Sequence, residues 1–131
     1  MSDQMTEAAS EADAGWPEQA LDLNGESIDV VLRRFSIVVI DCWVGWCKHS
    51  KRMMPIFESL ARDMTGKAVF GKVDAQEVFH FPVQYKVRAT PTFLIFKKGE
   101  LVDRLVGEQS REELEHAVRR HLDLLAEGPR V

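Results

Sequence analysis

One short stretch concentrates the reactive side chains of this chain: Trp46-Cys47-Lys48-His49-Ser50. It follows a strongly apolar, β-branched run at residues 36–44 (SIVVIDCWV) that reads as a strand covered on both faces. After it, Met53, Ile56, Phe57, Leu60, Ala61 and Met64 recur at helical spacing. Cys47 therefore stands where a strand gives way to a helix. At a helix N-terminus the positive end of the macrodipole and the free backbone N–H groups favour thiolate over thiol. Lys48, His49, Lys51 and Arg52 add positive charge in the first turns, where it opposes the dipole. Beside an anion the same charges are favourable. Lowering a thiol pKa from ~8.5 to ~6.5 raises the thiolate fraction at neutral pH from ~3 % to ~75 %. The expected chemistry is nucleophilic attack by sulfur.

The neighbouring polar and aromatic residues divide by strand parity and setting. Asp41 sits inside the apolar run, where an unpaired buried carboxylate is costly. Cys42 has the opposite parity and should face the other layer of the core as structural filler. To join Cys47 in a disulfide it would have to cross several extended residues, against a Cα separation limit of ~7 Å. Trp46 is expected as an exposed contact surface for partners, and Trp43 as core. His80, His116 and His121 read as solvated helix positions. Their spacing makes no metal site, so none is expected.

The elements that must position Cys47 follow from the same patterns. Residues 21–23 can form a short strand, 24–25 a turn, and 27–35 a helix with Ile28, Val31, Leu32 and Phe35 on one face. Pro55 should kink the helix that follows Cys47. Residues 68–73 form a second central strand, followed by a helical stretch to residue 87 with Pro82 in its first turn. Strands at 93–96 and 101–106 flank a hairpin at 97–100. Ser110 and Glu113 form a capping box, and Leu114, Val118, Leu122 and Leu125 line one face of the last helix. The order βαβαβα-ββα predicts an α/β sandwich: a mixed central sheet with helices on both faces.

Composition bounds what such a domain can be. The chain has 131 residues, enough for one domain with a sizeable core. Its net charge of −4 comes from one end: residues 1–18 carry Asp3, Glu7, Glu11, Asp13 and Glu18 with no Lys or Arg. The body is close to neutral, which argues against a nucleic-acid partner. Residues 1–15 read as a disordered acidic tail, 16–126 as the domain and 127–131 as a short C-terminal tail. The opening segment lacks the basic and apolar regions of a secretory signal. No apolar run reaches membrane-spanning length. Two cysteines make no secreted disulfide framework. A cytoplasmic monomer is expected.

The stretch DCWVGWCKHSKRMMP resembles the active-site segment of the thioredoxin family, in which a central strand ends in Trp-Cys-x-x-Cys before a Pro-containing helix. The resemblance covers roughly residues 20–125. Asp41, six residues before Cys47, matches the family's buried acid, and Lys72 the lysine that pairs with it. Pro91, in Arg-Ala-Thr-Pro-Thr, matches the cis-proline facing the active cysteine. Gly107 matches the glycine that lets a partner's backbone approach. The resemblance implies a thioredoxin fold with a sheet of four to five strands. It implies a thiol–disulfide oxidoreductase with no organic cofactor, acting on protein disulfides and recharged by a thioredoxin reductase or a low-molecular-weight thiol.

This sequence departs from the family pattern at three places. Ser50 stands where the second active-site cysteine belongs, Lys48-His49 replaces Gly-Pro, and Thr90 replaces an aliphatic residue before Pro91. A serine hydroxyl cannot resolve a mixed disulfide, so the intermediate should persist until an external thiol attacks. The expected enzyme is thus monothiol, with Cys47 as nucleophile and Lys48 and His49 stabilising its thiolate. Thr90 and Pro91 would present backbone to the substrate, while Asp41 and Lys72 tune the site from below. Ser50 reads equally as native or as an engineered trap. The rival from another class is a non-catalytic thioredoxin-fold binding module. A weaker rival is a Cys-x-x-Ser iron–sulfur carrier like a glutaredoxin, which this chain matches poorly for want of Gly-Phe between Cys47 and Ser50.

Overall fold

In a computed structural model, the chain is described over residues 16–127. Strand β1 (Leu21–Asp22) leads into helix α1 (Gly25–Arg34), and β2 (Ile37–Trp43) into α2 (Lys48–Asp63). Next come β3 (Val69–Asp74), the short helix α3 (His80–Gln84), β4 (Thr92–Lys97), β5 (Glu100–Val106) and α4 (Arg111–Glu127). The sheet order is β1-β3-β2-β4-β5. β2 pairs in parallel with β3 on one side and antiparallel with β4 on the other. β2 is the middle strand, as its continuous apolar character requires, and Ile37 to Cys42 are all buried.

Parity along β2 divides the molecule into two cores. Ile37 and Val39 face a layer built from Met53, Phe57 and Leu60 of α2 and Leu114 and Val118 of α4. Val38, Ile40 and Cys42 face Ile28, Val31 and Leu32 of α1 and Phe81 of α3. The mixed sheet with helices on both faces is therefore present. Cys42 lies in the layer its parity predicts, fully buried.

Local chemistry moves some boundaries. Residues 24–25 form a helix start instead of a free turn, because the Asn24 side chain accepts from the Glu26 and Ser27 N–H groups. The Ser27 hydroxyl in turn accepts from the Asn24 N–H, so α1 begins two residues earlier than its apolar pattern suggests. The helix expected up to residue 87 shrinks to five residues. Asp74 holds the preceding segment in a turn, its carboxylate accepting from the Gln76 N–H and its carbonyl from Glu77 and Val78. Pro82 falls in the first turn of α3, and α2 continues through Pro55 as one helix. The Ser110–Glu113 capping box forms reciprocally. Of the expected tails, 1–15 and 128–131 lie outside the described residues, as does the side chain of Leu125.

Candidate active site

Cys47 is the residue immediately before α2, in extended conformation, and its carbonyl accepts the Lys51 N–H that starts the helix. Its thiol is partly exposed and donates to the carbonyl oxygen of Thr90 at 3.6 Å, which brings the start of α2 against the Thr90-Pro91 turn. The Thr90–Pro91 peptide bond is cis. Pro91 accepts the Gly107 N–H at 2.8 Å, so the β5–α4 loop closes on the same turn. Gly107 has φ of +87° with open space where a Cβ would stand, so its backbone conformation alone calls for glycine. Trp46 beside the thiol is 72 % exposed.

The thiol of Cys47 is lowered to about 7. Hydrogen bonding by the Thr90 side chain is the largest cause, and the Ser50 backbone N–H comes next. Partial burial works against ionisation, while the Ser50 hydroxyl and the His49 backbone N–H work for it. Lys48 and the His49 imidazole, expected to stabilise the thiolate by charge, are not among these causes. The reason is geometric. The His49 ring is bound to Glu108 at the base of the β5–α4 loop, with Arg52 2.9 Å from the same carboxylate. Lys48 is exposed to solvent. Ser50 is fully buried, and its hydroxyl has no hydrogen-bond partner in the resting thiol state. That leaves it free to donate once the sulfur is charged.

Beneath the site the expected pairing of Asp41 with Lys72 is corrected. The two residues are register partners on β2 and β3, yet both carboxylate oxygens of Asp41 are buried without a hydrogen bond. The Lys72 ammonium instead lies 2.9 Å from Glu58 and 3.5 Å from Asp22. A lysine stem carries its charge toward solvent, where a carboxylate partner costs less desolvation. Lys72 acts on Asp41 only through space. Burial outweighs that attraction and pushes Asp41 up to about 8.

Three further residues stand apart from their sequence reading. Trp43 is half-buried, at the strand end where β2 leaves the core. His121 is buried and shares the Asp103 carboxylate with Arg120, while His80 and His116 are exposed as expected. Glu58, missed in the sequence, holds Lys72 and also accepts the Ala20 N–H. The signal was available: Glu58 is eleven residues past Cys47, about three helical turns, and so on the same face of α2. Glu108 was missed too; the hint is one acid opposite a basic first turn.

The thioredoxin family model matches residues 20–120. This chain belongs to the thioredoxin family. A thioredoxin of Staphylococcus epidermidis is 38 % identical over 86 residues, 66 % of this chain and 83 % of that protein. Among solved structures, a mutant thioredoxin from Halobacterium salinarum superposes with a TM-score of 0.75 at 30 % identity, covering 79 % of this chain and 91 % of that one. Thioredoxin f from spinach chloroplast gives a TM-score of 0.73 at 25 % identity, covering 79 % and 93 %. The fold is the thioredoxin fold, and the protein is a thioredoxin-family oxidoreductase. No helix among the described residues is long and apolar enough to cross a membrane.

Proposed function

We propose that this thioredoxin-family protein is a monothiol oxidoreductase acting on protein disulfides in the cytoplasm. One observation carries the reading: a partly exposed Cys47 thiol with its pKa near 7, beside a fully buried Ser50 in the resolving position. The Cys47 thiolate attacks one sulfur of a substrate disulfide. A bond forms between the two sulfurs, the substrate's second sulfur leaves as thiolate and takes a proton from solvent. Ser50 stabilises the attacking thiolate by hydrogen bonding and has no sulfur with which to release the product. Release falls to an external thiol of the glutathione class, or to a reductase, which restores Cys47 and carries away the substrate sulfur as a new disulfide.

The test is Ser50→Cys. The protein as it stands should accumulate mixed disulfides on non-reducing gels, and these should dissolve on adding glutathione or dithiothreitol. Ser50→Cys should shorten their lifetime by about two orders of magnitude or more, because a neighbouring thiol has a large effective concentration. It should also gain turnover in insulin reduction. Trapping and turnover unaffected by Ser50→Cys would overturn the reading. A Cys47 that forms no mixed disulfide at all would favour the non-catalytic binding module.

A further inference from the structure

Resting on the reading above, we infer that the groove at Cys47 selects disulfides whose flanking residues are acidic and extended. A concavity of about 350 Å³ runs beside the nucleophile, with Trp46, Val87 and Thr90 in its walls. Thr90 is the residue whose carbonyl touches the Cys47 sulfur, so a chain lying in the groove arrives at the thiolate. Arg88 and Ala89 belong to this groove and also to a second concavity that continues past Lys86 and Arg104. The walls are apolar and the margin is cationic.

The margin's charges are not cancelled locally. Lys86 and Arg88 are exposed, and among the described residues neither of them is paired with a carboxylate. The Arg104 guanidinium is held by the carbonyl oxygens of Tyr85 at 2.6 Å and Lys86 at 3.4 Å, at the C-terminal end of α3. That arrangement serves the helix end, but it fixes the guanidinium without neutralising it and leaves three of its five N–H donors. The opposing acids are fewer. Asp74 and Glu77 belong to the turn that brings Ala75 into the groove wall, and Glu108 is already occupied by His49 and Arg52. An acidic segment gains long-range attraction to this margin, and a basic one is repelled.

Two peptide disulfides test this, identical except for three Asp or three Lys residues flanking the cysteine. The rate of attack by Cys47 on each is divided by the rate of attack by mercaptoethanol on the same peptide, which removes the intrinsic effect of the charges on the bond. At low ionic strength the acidic peptide should react about tenfold faster or more, and the ratio should contract to about twofold at 0.5 M salt as screening sets in. Replacing Lys86 and Arg88 together by Glu should cut the ratio at least about fivefold, while Arg88→Lys preserves it. Equal normalised rates, a preference for the basic peptide, or a ratio indifferent to salt would overturn the inference. Uncharged hydroxyethyl disulfide separates the two levels. If Cys47 attacks it while the peptides react alike, only the charge selection falls. If Cys47 does not attack it, the oxidoreductase reading falls as well.

Discussion

Cys42 and Cys47 lie five residues apart in sequence, and their surroundings drive them in opposite directions. Cys42 is sealed between the sheet and the α1/α3 layer, where burial and the nearby Asp41 and Asp74 push its thiol up to about 12. Cys47 is clear of the strand, between the Thr90 side chain and the N–H donors of a helix start, and is lowered to about 7. The two shifts show how little of a cysteine's reactivity belongs to the side chain itself. A strand interior offers no spare donors because the ladder has used them; the first turn of a helix offers several.

The sharpest way to break this contrast is by alkylation. At pH 7 about half of Cys47 but only about one part in 10⁵ of Cys42 is thiolate, and since the less basic thiolate is also the weaker nucleophile, native labelling rates should differ by about 10²–10³-fold before access is counted. One thiol should label in the native protein and two in denaturant, as mass spectrometry would show. Rapid native labelling of both, or an intramolecular Cys42–Cys47 crosslink, would erase the distinction.

The next largest effect concerns Asp41, which shares the buried strand with Cys42. Its folded pKa of about 8 lies above the ordinary 3.8, so the folded protein holds a proton that the unfolded chain has lost. Stability should therefore fall as pH rises from about 4 to 8 and level off beyond. Asp41→Asn removes this dependence and should gain stability on the parent between pH 5 and pH 8 by on the order of 4 kcal/mol, at ~1.4 kcal/mol per pH unit. Denaturant melts at pH 5 and pH 8 measure it. A variant that gains nothing on the parent between the two pH values would show that Asp41 finds a partner the static arrangement lacks.

The smallest effect sharpens the other side of the comparison. Thr90→Val deletes the hydroxyl that contributes most to lowering Cys47, and the inflection of alkylation rate against pH should move up from about 7 toward the ordinary thiol range. Lys48→Gln should leave it in place. The reverse pattern would return the activation to charge, as the sequence first suggests.

What the sequence disclosed depended on the reach of each interaction. The parity of β2 was legible because alternation is local and rigid: residues 38, 40 and 42 share a face whatever else happens. The placement of Cys47 at a strand-to-helix junction was legible for the same reason. The meeting of Thr90, Pro91 and Gly107 near Cys47 joins loops far apart in the chain, and only the family resemblance brought them together. Least legible were the partners of long charged side chains. Lys72 lies opposite Asp41 in register but has enough stem to choose Glu58, and His49 turns from the thiol to Glu108. Such choices depend on where solvent begins, which no periodicity records.

The position of β2 between a parallel and an antiparallel neighbour has a mechanical consequence for catalysis. A strand clamped along both edges cannot bend at its end, and the short link from Trp43 to Cys47 is held by the Cys47 N–H donating to the Val44 carbonyl and the Ala75 N–H donating to that of Trp43. The sulfur is thus presented from an anvil. The in-line approach of three sulfurs must be reached by deformation of the partner, whose loops bear the loss of conformational entropy. Disulfides in loosely held or partly unfolded segments will therefore be cleaved faster than identical bonds locked inside a rigid fold.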